Sequence, residues 1–151
     1  MKRSAGAYLR PECLIIQAEA RMRAGIRVAT TPVWRLPPET SAAEIGAVLR
    51  SALSAFRGDE PNLLHGEQKV MRAAFLREAG FRSWRSLENG ARSCWIEEHD
   101  GILVLTPLRN GGTKGATKGF QPFGVEPLTS PGDVGEQAMG QLLLDAWARS
   151  E

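Results

Sequence analysis

Two histidines, two cysteines and a short run of carboxylates are the residues whose types could carry chemistry in this 151-residue chain. Neither His65 nor His99 is followed by a second histidine or cysteine at the short spacing of a zinc site. His99 lies between Glu98 and Asp100 and reads as a solvated turn residue. Cys13 and Cys94 are too few and too far apart for a disulfide framework or a paired-cysteine metal site. Each adjoins apolar residues, Leu14-Ile15-Ile16 and Trp95-Ile96, so both read as buried free thiols, which suits a reducing compartment. A Cys94–His99 nucleophile and base fails because strand alternation puts Cys94 inside. No catalytic residue, metal or cofactor is therefore expected.

Charged residues offer binding chemistry instead. Glu97, Glu98 and Asp100 form an acidic tip, which could be a solvated turn or a phosphate-like surface facing a basic groove. Residues 109–119 hold four glycines with Arg109, Lys114 and Lys118. The stretch from Gly112 to Lys118 lacks phosphate-loop spacing and no helix follows, so it reads as a mobile surface loop or a partner-contact segment. In Phe81-Arg82-Ser83-Trp84-Arg85, the tryptophan could stack on bases or fill the core, and burial is the better use of it. The cations Lys2, Arg3, Arg10, Arg21, Arg23 and Arg27 crowd the start of the chain. A net charge of +2 is nevertheless too small to demand nucleic acid.

The elements that must position these residues follow from pattern. With 42% hydrophobic and 24% charged residues the composition is that of one ordinary globule, residues 1–151 forming a single domain. No apolar run approaches the roughly 20 residues of a membrane helix. Arg10, Pro11 and Glu12 interrupt any secretory h-region, and residues 1–11 are expected to be disordered. Strands are predicted over 12–18 and 25–29, and an extended segment over 32–36 between prolines. Ser41 with Glu44 makes a capping box for a helix carrying Ile45, Val48, Leu49, Ala52, Leu53 and Phe56, stopped by residues 58–61. A second helix is predicted over 67–79, with Val70, Ala73, Ala74 and Leu76 inward and Gly80 at its end, then a short helical turn over 83–89. Residues 93–96 and 102–105 alternate around Asp100-Gly101, a strong hairpin signal. After an extended segment over 120–125, a last helix is predicted with Ser130 as cap, Pro131 at its first position and Asp133 at its third.

Shifting the sequence by 89 residues lays Trp34 on Phe123, Pro38 on Pro127, Ser41 on Ser130, Ile45 on Val134, Gly46 on Gly135 and Leu53 on Leu142. The echo implies two related strand–helix units, with a repeated glycine where a helix closely approaches the sheet. The fold class is thus α+β: a mainly antiparallel sheet packed against three helices.

Several segments resemble a known family. Glu78 to Leu87, Cys94-Trp95-Ile96, and Asp100 to Pro107 are similar to the central motif of bacterial immunity proteins of contact-dependent growth inhibition (CDI). Ser130 to Gly135 resembles the family's final helix start, with Asp133 in place of its usual glutamate. Ser41 to Gly46 resembles a similar element upstream. The likeness runs over residues 33–147. It implies a cytoplasmic, non-enzymatic protein that binds the C-terminal toxin domain of a CDI system, commonly a nuclease, and blocks it. Glu97, Glu98, Asp100, Arg109, Lys114 and Lys118 are the expected toxin contacts. The alternative reading is a small nucleic-acid-binding module using Arg82, Arg85, Lys114 and Lys118.

Overall fold

A computed structural model describes residues 2–151. Its elements in chain order are β1 (Lys2–Leu9), β2 (Leu14–Met22), β3 (Arg27–Leu36), α1 (Ala42–Ser54), β4 (Arg57–Glu60), α2 (His65–Ala79), α3 (Trp84–Glu88), β5 (Arg92–His99), β6 (Ile102–Asn110), β7 (Phe120–Pro122), β8 (Leu128–Pro131) and α4 (Glu136–Arg149). The sheet runs β3-β2-β1-β5-β6-β7, with β8 also pairing β6. All pairs are antiparallel except β4, which joins β2 in parallel. The expected α+β fold is present.

Residues 1–11 were expected to be disordered; the described part of that segment is instead the centre of the sheet. β1 pairs with β2 from Ala5↔Ala18 to Leu9↔Leu14 and with β5 from Lys2↔His99 to Leu9↔Arg92. Ser4, Ala5, Gly6 and Ala7 are buried between both faces, where their small side chains leave room for neighbours.

Alternation sorts the side chains onto two faces. On one, Ala5, Ala7, Leu14, Ile16, Cys94, Ile96, Leu103 and Leu105 pack under α1 and α4, around the fully buried Trp147. On the other, Cys13 and Ile15 pack under α2 and α3, against Phe75, Ala79 and Leu87. Both cysteines are buried free thiols, and burial pushes the Cys94 thiol far up from its ordinary pKa. The face of α2 is offset from the expected one. Phe75 and Ala79 are buried while Val70 is 71% exposed.

The Ser41 cap is real: its hydroxyl accepts the Glu44 N–H at 3.2 Å. Ser130 is not a cap. It pairs with Leu103 in β8, and α4 begins only after Gly135, with no side-chain cap. Extending the sheet edge satisfies the backbone of 128–131 before the helix can start. The repeated glycine also works differently from expectation. A Cβ on Gly46 would collide with the Glu136 carbonyl, and one on Gly140 with the Ala42 carbonyl. The close approach is helix to helix, and its second glycine is Gly140, not Gly135.

Three arginines close helix C-termini, where unsatisfied carbonyls carry partial negative charge. Arg35 donates to the Ala79 carbonyl at 2.8 Å, Arg10 to Leu87 at 2.7 Å, and Arg92 to Trp147 at 3.1 Å. Asp100 (φ 51°) and Gly101 (φ 77°) turn the β5–β6 hairpin, bringing both into the left-handed region that an Asp-Gly pair tolerates.

Candidate partner-binding site

The hairpin tip sits where the sequence put it, but its charge is largely compensated. Glu97 is gripped by Lys2 Nζ at 3.0 Å and by Arg27 Nη1 at 3.0 Å. Glu98 accepts from Arg3 Nε at 3.0 Å and also from its Nη2. Because Glu97 and Glu98 are consecutive in a strand, they point to opposite faces. Of the three, only Asp100 has no lysine or arginine partner among the described residues; its exposed carboxylate lies 3.6 Å from His99 Nε2. Much of the N-terminal basic crowd thus serves structure: Lys2, Arg3 and Arg27 hold the tip, and Arg10 closes α3.

The other expected contacts are dispersed. Arg109 pairs with Glu151 at 3.1 Å and lies over the Phe123 ring, 4.9 Å from its centroid. Lys114 and Lys118 are exposed on the 111–119 loop, whose neck is pinched by Gly111 N–H to the Gly119 carbonyl at 2.8 Å and Gly119 N–H to the Gly112 carbonyl at 2.9 Å. Arg82 and Arg85 are exposed beside α3, but Trp84 is stacked on Phe75 at 4.9 Å and is not free to receive bases.

A recess that the sequence reading missed lies on the α2–α3 side of the sheet. It is a cleft of about 560 Å³, floored by Tyr8, Gln17, Glu19 and Arg27 and walled by Arg72, Trp84 and Glu88. Three polar atoms of these residues are sealed from solvent without a hydrogen-bond partner among the described residues: Gln17 Oε1, Glu19 Oε1 and Trp84 Nε1. Burial raises the Glu19 carboxyl above the ordinary range, opposed by the nearby Ser4 hydroxyl and Arg27. Burial raises Glu88 as well, and lifts the Tyr8 phenol far up with Glu88 and Glu19 adding to the shift. The sequence signal was present in Gln17, Glu19 and Arg21, three polar residues at alternate positions on one face of β2. Beyond this cleft the same sheet face is bare, and it exposes Trp95 (40%) and Ile102 (47%).

Together these features define a small α+β domain with helices on both faces of its sheet and a recessed cleft lined by both acids and arginines. The sequence matches the CDI immunity protein family over residues 3–150, and the chain belongs to that family. The resemblance drawn from residues 78–107 and 130–135 is thereby borne out. A protein of unknown function from Neisseria meningitidis has a similar structure, with a TM-score of 0.80 and 20% identity over 100% of this chain and 96% of that one. The CdiA-CT/CdiI toxin and immunity complex from Yersinia pseudotuberculosis contains a chain with a TM-score of 0.76 and 14% identity, covering 100% of this chain and 98% of that one. At these identities the likeness shows the fold. None of the curated proteins searched matches the chain.

Proposed function

We propose that this chain neutralises the toxin domain of a CDI system by forming a stoichiometric complex with it in the cytoplasm of the cell it protects, without catalysis. The observation that carries this reading is the family match across residues 3–150. The likeness to a chain from a toxin and immunity complex supports it. The toxin is a nuclease in this reading, and its blocked groove is basic. Of the six residues expected to meet it, Asp100, Lys114 and Lys118 are exposed and have no lysine, arginine or carboxylate side chain of opposite charge paired with them among the described residues. Glu97, Glu98 and Arg109 join the interface only where toxin groups compete with Lys2, Arg3, Arg27 and Glu151. Charge placed on a two-residue turn loses little freedom on binding, so Asp100 is the better-placed contact, steering association more than holding the complex.

The test is direct. This reading expects the gene upstream to encode a large surface protein with a C-terminal toxin domain, and that domain should co-purify with the chain at one to one. Its cleavage of RNA or DNA should stop when the chain is added. A toxin domain that neither binds the chain nor spares cells expressing it would defeat the reading. An inhibited toxin that cleaves no nucleic acid would remove the nuclease assignment alone.

A further inference from the structure

The pairing that neutralises the acidic tip leaves an excess of the opposite sign beside it. β1 follows β2 only as far as Ala5↔Ala18 but follows β5 to Lys2↔His99, and β4 takes over the β2 edge at Ala20 and Met22. Where β1 and β2 part, a recess of about 170 Å³ opens, lined by Lys2, Arg3, Arg21 and Arg27, with Glu97 the one carboxylate in its lining. It is smaller than the roughly 300–1,000 Å³ of a small-molecule site and suits a single side chain.

Strand alternation puts most of these groups on one face. Arg21 lies opposite Arg27 in the β2–β3 pair, and Lys2 shares a face with Ser4, the partner of Glu97. Arg3 points to the other face, where Glu98 holds it. Three cations therefore stand over one carboxylate. Lys2 and Arg27 share Glu97, each at 3.0 Å. The next acid on this face, Glu19, is buried, and burial raises its carboxyl against the pull of Arg27. Of the six cations at the start of the chain, the other five each lie on a carboxylate. Half-buried Arg21 makes neither an ion pair nor a side-chain hydrogen bond among the described residues.

A guanidinium left without an acceptor among like charges favours an anion with two oxygens, which its fork of N–H donors matches. A nucleic-acid backbone would bring many charges and press on Asp100 and Asp59, both exposed nearby, one next to the partner of Lys2 and the other on Arg23. A lone carboxylate brings one charge and avoids them.

We propose that this recess receives an aspartate or glutamate side chain of the partner protein, its carboxylate paired with Arg21 and Lys2. That the partner is a toxin domain rests on the immunity reading. The toxin surface then carries opposite signs side by side, an acid against the recess and a base against Asp100.

N-acetyl-aspartate amide is titrated at low salt into the labelled free chain, with N-acetyl-asparagine amide as the uncharged control. The Nε–H groups of Arg21 and Arg27 should shift saturably with the aspartate probe alone. Arg21→Gln should weaken the Arg27 response roughly tenfold, the loss of one charge-assisted hydrogen bond, and Arg23→Gln, outside the recess, should leave it unchanged. No shift, an equal shift with the asparagine probe, or an equal loss from Arg23→Gln would overturn the recess as an anion site. In the toxin complex, Arg21→Gln should raise Kd about tenfold. Among the toxin's acids, neutralised one at a time, one should cost as much against the parent and nothing further against Arg21→Gln. Toxin affinity unchanged by Arg21→Gln, or no toxin acid coupled to it, would overturn the partner's carboxylate. Binding of a DNA oligonucleotide that is lost on Arg21→Gln would instead assign the recess to a nucleic-acid backbone. A toxin domain that fails to bind the parent chain defeats the immunity reading, and the titration of the free chain still decides the recess.

Discussion

Glu19 shows at the scale of one residue how position overrides type. Its carboxyl is raised by burial above the ordinary carboxylate range. A group whose folded pKa lies above its unfolded one stabilises the fold below the unfolded value, and that contribution is lost as pH rises through the folded value. The parent should therefore lose stability as pH climbs from about 4.5, with Glu88 acting in the same direction. Glu19→Gln should flatten that slope and leave the protein at least as stable as the parent at neutral pH. Urea midpoints of both proteins from pH 4 to 8 check this, and parallel slopes would refute it. The acidic tip gives the converse lesson. Lysines at Glu97, Glu98 and Asp100 together would set like charges against Lys2, Arg3 and Arg27, so the triple variant should lose about 1–3 kcal/mol. Asp100→Lys alone should melt within about 0.5 kcal/mol of the parent. Equal melting of the two variants would mean the ion pairs contribute nothing. The tip was legible as a hairpin, because Asp-Gly is local. Its neutralisation was not, because Arg3 and Glu98 meet across 95 positions of sequence.

Elements were legible where their signals are local and lost where they are not. α1, α2, α3 and the β5–β6 hairpin carry caps, C-terminal glycine or turn residues, and all four are present. β1 was missed because Ser4, Ala5, Gly6 and Ala7 have weak strand preference; only pairing on both sides makes them a strand. Ser130-Pro131 has good helix-start grammar, yet β6 captures it as an edge strand. Ser41→Ala should accordingly cost about 1 kcal/mol, and Ser130→Ala no more than about 0.5 kcal/mol. Equal losses in thermal unfolding would restore the symmetric reading of the two units. The crossing of α1 on α4 makes a sharper claim. Gly46→Ala gains helix propensity but drives a methyl into the Glu136 carbonyl, so it should destabilise by about 1–3 kcal/mol. Gly66→Ala, in α2 with open space around its Cβ, should stabilise by roughly 0.5–1 kcal/mol. Calorimetry on the pair gives opposite signs if the crossing is as close as described.

Across the whole molecule, rigidity is uneven. The 102–105 segment is paired on both sides, by β5 and β8. The 111–119 loop is tied at its neck by the bonds between Gly111, Gly112 and Gly119, with two longer contacts from Thr117 Oγ1 to the Gly111 carbonyl at 3.3 Å and from Lys118 N–H to the Gly115 carbonyl at 3.4 Å. Amide exchange should therefore be slowest in 102–105, intermediate at Gly111, Lys118 and Gly119, and fast through 113–117. Uniform protection across the loop would contradict this. The cleft belongs to this scale too. Its floor comes from β1, β2 and β3 and its walls from α2 and α3, so no single stretch of sequence announces it.

The place of β1 at the middle of the sheet also governs how the chain can assemble as it leaves the ribosome. Its β2 partner emerges within a few residues, but its other neighbour, β5, ends at His99, the partner of Lys2. α1 in turn waits for Gly140 and the rest of α4. The first half of the chain thus travels with an unpaired central strand edge until β5 has emerged, and with an uncovered helix face until nearly all of the protein has been made. Closure is a late event built from distant contacts, which are slow to form and leave sticky surface exposed meanwhile. Protection by a newly made copy therefore begins only after synthesis is essentially finished.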